Sequence, residues 1–180
     1  MHSGSGMVLI KAAILTLSDK GSRGERVDLS GPALASWLSQ RAVEVVCVKI
    51  LPDEADGIST QLMEWADAGI CDLLLTTGGT GVSPRDVTPE ATQRVLDREI
   101  PGIAEAMRAN SVKATPHAML SRAIAGIRKR TLILNLPGSP RGAIENLEAV
   151  WPAIPHAVKK IQGDTEDCVK AESATDKLDL

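Results

Sequence analysis

Blocks of apolar residues alternate with polar, glycine-rich breaks along this chain, and their periods predict strands and helices in turn. Val8 to Leu17 is a β-branched apolar run closed by Ser18-Asp19-Lys20-Gly21, the pattern of a buried first strand. A polar loop runs to Asp28. From Ser30, with Pro32 near the first turn, Leu34, Trp37 and Leu38 share one helical face, so Pro32 to Gln40 is expected to be helical. Val43 to Leu51 predicts a second strand that stops at Pro52-Asp53-Glu54. Ile58, Leu62 and Trp65 then repeat at 3.6 residues in a helix ending near Gly69, where Met63 and Trp65 read as core packing.

Asp72 to Thr77 is apolar on both faces, as a central parallel strand should be. Its exit, Gly78 to Asp86, leads to Thr88-Pro89, where Thr88 is expected to cap a helix reaching about Arg98 before Pro101-Gly102 breaks the chain. Another helix from about Ile103 to Ser111, a loop around Pro116 and a β-like stretch at Ala123–Arg128 precede the strand Thr131 to Leu136. Pro137-Gly138-Ser139-Pro140 ends that strand, with Ser139 as N-cap and Pro140 at the first helical position. Helical patterns continue to about Ile161, interrupted at Pro152 and Pro155. Residues 1–7 read as a flexible leader of the kind cloning leaves, 8–163 as one domain, and 164–180 as a disordered tail. This β-loop-α alternation predicts a single-domain, three-layer α/β fold: a mostly parallel sheet with helices on both faces.

Composition narrows the function. With no Phe, no Tyr and three Trp, the chain lacks the stacking platforms of single-stranded nucleic-acid binders, and a net charge of -3 gives no basic footprint. No apolar run approaches the roughly 20 residues of a membrane span, and Met1 to Gly6 has no signal-like apolar segment. Cys47, Cys71 and Cys168 are odd in number and far apart, which argues for a reducing, cytoplasmic setting without disulfide or zinc framework. His2, His117 and His156 have no partner spacing and read as surface or capping residues.

In an open α/β sheet, ligands bind beyond the carboxyl ends of the strands. Four polar loops are expected there: Ser18-Asp19, Asp53-Glu54, Gly78 to Asp86, and Pro137 to Pro140. Glycines let backbone N–H groups approach a phosphate, and the following helix N-terminus adds partial positive charge. The loop after the third strand is neither a Walker A motif, lacking Gly-Lys-Ser/Thr, nor GxGxxG, since Pro84 replaces the last glycine. Asp53 reads as a helix N-cap or as a site carboxylate, whereas Asp86 sits beside Arg85 in a loop that would face phosphate. Carboxylates near phosphates are unfavourable unless they bind a cation or move a proton, so Asp53 and Asp86 suggest magnesium and phosphoryl or nucleotidyl chemistry. Lys20, Arg23, Arg85 and Arg141 are solvated surface cations or offsets to phosphate charge.

At these loops the sequence resembles the MogA/MoaB family of molybdenum-cofactor biosynthesis, also found as the G domain of gephyrin and of plant fusion proteins. The matching segments are Leu17-Ser18-Asp19, Leu51-Pro52-Asp53, Thr76 to Gly81, Arg85 to Thr92, Leu120-Ser121-Arg122 and Leu136 to Pro140, in order between about Lys11 and Gly163. Val82-Ser83-Pro84 departs from several relatives. The resemblance implies a molybdopterin-binding fold and transfer of AMP from Mg-ATP to the molybdopterin phosphate, with pyrophosphate released. It implies Asp53 and Asp86 as catalytic, Asp86 also toward magnesium. It places Thr76, Gly78, Gly79, Thr80, Gly81, Ser83, Pro84 and Arg85 on molybdopterin, and Ser18, Asp19, Pro137, Gly138, Ser139 and Pro140 on the nucleotide. It further implies a homotrimer working with other molybdenum-cofactor synthesis proteins; the alternative it leaves is a MoaB-like or scaffold molybdopterin binder without adenylyl transfer.

Overall fold

The computed structural model describes residues 9–164; the expected leader, the tail beyond Asp164, His2 and Cys168 lie outside them. Six strands form one sheet in the order β2-β1-β3-β6-β5-β4. These are β1 (Ile10–Leu17), β2 (Val43–Leu51), β3 (Leu73–Thr77), β4 (Arg98–Glu99), β5 (Ala125–Arg128) and β6 (Thr131–Leu136). The first three and β6 run parallel, while β5 and β4 complete the sheet antiparallel.

Alternation along the central strands decides which side chain enters which layer. Ile10, Ala12 and Ile14 of β1, Leu73 and Leu75 of β3, and Leu132, Leu134 and Leu136 of β6 face one core. That core is covered by α2 (Ser30–Ser39), α5 (Pro101–Val112), α6 (Pro140–Val150) and α7 (Ile154–Ile161), through Leu38, Met107, Leu147 and Val158 among others. Ala13, Leu15, Leu74 and Ile133 face the opposite core, covered by α3 (Ala55–Asp67) and α4 (Thr88–Gln93) through Ile58, Leu62, Trp65 and Ala91. A strand buried on both faces is mostly apolar, with its few buried polar side chains hydrogen-bonded, which is why these runs read as near-continuous. With almost no aromatics to use, one Trp37–Trp151 edge-to-face pair, 5.1 Å between centroids, serves the first core.

Several boundaries differ from the sequence reading. The helix opened by Thr88-Pro89 stops at Gln93 instead of about Arg98, because Asp97 to Ile100 turn back to pair with β5: the Asp97 amide donates to Ile127 O and the Ile100 amide to Ala125 O. The exposed Arg98 and Glu99 then make a short, charged sheet edge, which resists further pairing. Thr88 is not the cap of α4; Val87 is, and Thr88 is fully buried with its hydroxyl donating to Gly78 O at 2.9 Å. Pro101 opens α5 rather than breaking the chain, since the missing N–H costs nothing in a first turn. Pro155 likewise lies in the first turn of α7, after a 3-10 turn at Trp151–Ala153. A short helix α1 (Asp19–Ser22), capped by Ser18 Oγ accepting from Gly21 N, lies in what reads as polar loop. Ser139 caps α6 as expected, accepting from Gly142 N, with Pro140 in the first turn. Cys47 and Cys71 are free, and burial pushes the Cys71 thiol up to about 12.

Candidate functional site

The carboxyl ends of β2, β1, β3 and β6 reach the same edge, with Leu17 opposite Leu51, Thr16 opposite Thr77 and Thr77 opposite Leu136. From β1 the chain goes to β2 on one side and returns to β3 on the other, so the strand order reverses between β1 and β3. A crevice is forced open there, since the connections leave in opposite directions. The structure has a cavity of about 380 Å³ at this point, lined by Ser18, Asp53, Gly78, Gly79, Asp86 and Ser139 together with residues of the 26–30 segment.

Two glycine loops meet at its floor. Gly78 and Gly79 have φ of +106° and +63°, and a Cβ on Gly79 would lie 2.4 Å from Thr88 Oγ1 and 3.0 Å from Asp53 Oδ1. A Cβ on Gly138 would come within 3.2 Å of Gly78 Cα. Neither loop admits a side chain at these points, so backbone faces the cavity. Among the described residues no hydrogen bond engages the amides of Gly79, Thr80 and Gly81. The N-terminus of α6 begins at Ser139 beside them, adding partial positive charge for a ligand anion.

Asp53 is not the helix cap the sequence allowed; Glu54 occupies that position. Instead Asp53 and Asp19 exchange backbone contacts, Asp19 N donating to Asp53 Oδ2 at 3.0 Å and Asp53 N to Asp19 Oδ1 at 3.1 Å. Arg85 grips Asp19 through two nitrogens, at 3.0 and 2.8 Å, and reaches Glu54 at 2.8 Å. This fork holds Asp19 below its ordinary carboxylate value. Asp53 moves the opposite way despite the shared contacts: its burial disfavours the charged form and raises it, with Asp19 and Asp86 adding repulsion. Burial prevails at Asp53, which lines the crevice, while Arg85 bonds to Asp19 and is not part of the cavity wall. Asp86 Oδ2 accepts from Ser83 N at 2.8 Å.

Arg26 is the one Lys or Arg among the lining residues, against three carboxylates, Asp28, Asp53 and Asp86. Of the cations singled out in the sequence, Arg85 pairs with Asp19 and Glu54, Arg23 with Glu25 and Arg141 with Glu145, while Lys20 is exposed outside the cavity lining. A polyphosphate entering this crevice therefore needs a counter-cation. Among the described residues no cluster of three or more His, Cys, Asp or Glu could hold an ion alone. Magnesium suits this arrangement, since it keeps several waters and commonly takes one or two carboxylates plus substrate phosphates. Asp86 and Asp53, each with one oxygen outside the hydrogen bonds above, fit that donor set.

A second cavity of about 300 Å³ lies across the Pro137–Ser139 loop, lined by Thr80, Gly81, Ser121, Pro137, Ser139 and Asn146 among others. Ser139 belongs to both walls. Of the remaining residues marked from sequence, Pro140 and Gly138 line the first cavity and Pro137 the second. Ser83, Pro84 and Arg85 are exposed on the loop outside both. Thr76 lies within the sheet, fully buried, accepting from Asn135 Nδ2 at 3.0 Å. Sequence reasoning passed over Thr16, Thr77 and Asp28, although polar residues at the inner ends of apolar strands were a usable signal. Thr16 Oγ1 donates to Asp28 Oδ2 at 2.7 Å, and Asp28 Oδ1 accepts from the amides of Ser30 and Gly31. Arg122, with Leu120 and Ser121 of the second cavity's wall, stood out only as a segment of the family resemblance, with no role attached.

Residues 13–156 match the family described as "Probable molybdopterin binding domain". The molybdopterin adenylyltransferase of Helicobacter pylori (strain ATCC 700392 / 26695) is 46% identical over 160 residues, covering 88% of this chain and 91% of that protein. The solved structure of the molybdopterin biosynthesis enzyme MoaB from Thermus thermophilus superposes with a TM-score of 0.81 at 53% identity, over 86% of this chain and 98% of that one. The molybdopterin biosynthesis Mog protein from Mycobacterium ulcerans gives 0.80 at 38% identity, over 84% and 99%. Among the described residues no helix is long and apolar enough to cross a membrane. The chain belongs to the molybdopterin-binding domain family, with the α/β architecture of MogA and MoaB.

Proposed function

We propose that the protein is a molybdopterin adenylyltransferase, transferring AMP from ATP to the phosphate of molybdopterin. The observation carrying this is that Asp53 and Asp86, 33 positions apart in sequence, line one crevice floored by two glycine loops. The likeness to molybdopterin adenylyltransferases supplies the substrates. ATP occupies the crevice between β1 and β3, with its phosphates over Gly138 and over Gly78 and Gly79, two glycines that the family resemblance had put on molybdopterin. Molybdopterin occupies the second cavity, its phosphate reaching the shared wall at Ser139 and the Thr80–Gly81 amides.

In the reaction an oxygen of the molybdopterin phosphate attacks the α-phosphorus of ATP. The bond from that phosphorus to the bridging oxygen breaks, and pyrophosphate leaves with the electron pair. A phosphate nucleophile needs no strong base, so alignment and charge neutralisation carry the rate. Magnesium, when bound, neutralises the polyphosphate. Asp86 would hold that cation, and Asp53, fixed by the Asp19 amide, orients the attacking phosphate. Arg85, outside both cavities, serves through Asp19 and Glu54, holding Asp19, whose backbone amide fixes Asp53. On this reading the enzyme works in the cytoplasm as a homotrimer, a state that light scattering measures, alongside other proteins of molybdenum-cofactor synthesis.

The 53% identity to a MoaB structure favours, as second reading, a MoaB-like or scaffold role in which molybdopterin binds without adenylyl transfer. Pyrophosphate release from molybdopterin, ATP and Mg²⁺ separates the two. The wild type is expected to release it, and Asp86→Ala to lose release by about 100-fold or more while molybdopterin still binds. Wild-type turnover in that variant refutes the assignment of Asp86, and binding without release in the wild type establishes the second reading.

A further inference from the structure

We infer that Arg122 is a positioning residue that fixes Asp86 and ties the wall of the second cavity to the carboxylate of the first; this rests on the function proposed above. Arg122 lies between a 3-10 turn at Pro116–Leu120 and β5. Its amide donates to Thr80 O at 2.9 Å, its Nε to Gly81 O at 2.6 Å and one terminal nitrogen to Asp86 O at 2.5 Å. The other terminal nitrogen pairs with Glu90 in the first turn of α4. All three guanidinium nitrogens are thus committed to protein acceptors, so the side chain acts through the loop rather than on a ligand.

The loop needs such a tie. Its two ends are fastened by Thr88, whose amide and hydroxyl reach Gly79 O and Gly78 O. Between them Val82 to Arg85 are exposed, and the Asp86 carboxylate is held within the loop by Ser83 N alone. Arg122 bridges Gly81 and Asp86 from outside, closing the loop so tightly that a Cβ on Gly81 would sit 2.9 Å from Asp86 Oδ2. The residues just before it, Leu120 and Ser121, line the second cavity. A ligand that shifts this wall shifts Asp86 through one rigid guanidinium. Lysine cannot replace it, because a single ammonium on a flexible stem does not hold two carbonyls and a carboxylate in one plane.

The test compares Arg122→Lys, Arg122→Ala and Glu90→Gln by steady-state pyrophosphate release and by hydrogen exchange of the Ser83 amide in the ligand-free protein. Arg122→Lys is expected to lower kcat by about tenfold and Arg122→Ala by up to about 100-fold, the scale of an ångström-sized misplacement. KM for ATP stays within about twofold, the Mg²⁺ needed for half-maximal rate rises, and Ser83 exchanges faster. Glu90→Gln keeps both carbonyl contacts and its kcat stays within about threefold. Wild-type kcat and exchange in Arg122→Lys overturn the inference, as does a kcat loss in Glu90→Gln equal to that in Arg122→Lys. Failure of both Arg122 variants to fold also overturns it, since the residue would then serve the fold at large. A wild type that releases no pyrophosphate, with Ser83 still exchanging faster in Arg122→Lys, removes the enzymatic reading and leaves the positioning intact.

Discussion

Gly79→Ala probes the geometry of the crevice at its tightest point. With φ of +63°, an alanine there pays for a left-handed backbone, about 1 kcal/mol or more. Its methyl would start 2.4 Å from Thr88 Oγ1 and 3.0 Å from Asp53 Oδ1, so the neighbours must move by close to 1 Å, at about 1–3 kcal/mol. Together these effects destabilise by about 2–4 kcal/mol, which for a domain of this size lowers Tm by about 5–15 °C. Gly57→Ala is the matched control. That glycine lies in α3 with nothing within 4 Å of an added Cβ, so alanine should stabilise by about 0.5–1 kcal/mol through helix propensity and raise Tm slightly. Calorimetric melts of the three proteins measure the difference, and pyrophosphate release at a temperature where all are folded measures the site. Folded Gly79→Ala is expected to lose most of its turnover because Thr88 and Asp53 are both displaced. A Gly79→Ala protein as stable as wild type, or one equal to Gly57→Ala, refutes the geometry.

Asp53 gives a pH-dependent prediction. Its folded carboxyl titrates above its unfolded value, so it favours the fold where protonated, below the ordinary carboxylate range, and that contribution is lost as pH rises through the raised value. Asp53→Asn, which can still accept from Asp19 N, should therefore raise Tm at pH 7 while abolishing turnover, the gain shrinking as pH falls into the ordinary carboxylate range. A less stable Asp53→Asn at pH 7 contradicts this. Thr88→Val removes the buried donor to Gly78 O and should cost about 1–3 kcal/mol, lowering Tm by about 3–10 °C by circular dichroism. An unchanged Tm would show that the carbonyl needs no partner.

The parts of this fold legible in sequence are those with local period. Ile10 to Leu17, Leu73 to Thr77 and Thr131 to Leu136 show their two-sided burial as mostly apolar runs, and the topological rule then puts their exits on one edge. Arg98-Glu99 escaped because two exposed charged residues carry no alternation; only the open edge of β5 makes them a strand. Thr88 looked like a cap because Thr before Pro is the usual signal, whereas its hydroxyl is spent on a glycine carbonyl ten residues back. Asp53 remained ambiguous between cap and site until the Asp19 amide, 34 positions away, was seen to hold it. Arg85 to Asp19 and Arg122 to Gly81 span 66 and 41 positions, and such long-range pairings leave no spacing to read. The second cavity joins three separate stretches, 80–81, 108–121 and 137–146, and nothing in their spacing shows that they share one wall.

Single-turnover incubation with molybdopterin, Mg²⁺ and ATP labelled at the α-phosphate tests most directly whether this crevice joins a nucleotide to a pterin phosphate. The label is expected to appear in a molybdopterin–AMP product at a rate that falls by about 100-fold or more in Asp86→Ala. Label remaining wholly in ATP, or a product formed equally fast without the Asp86 carboxylate, would contradict the account.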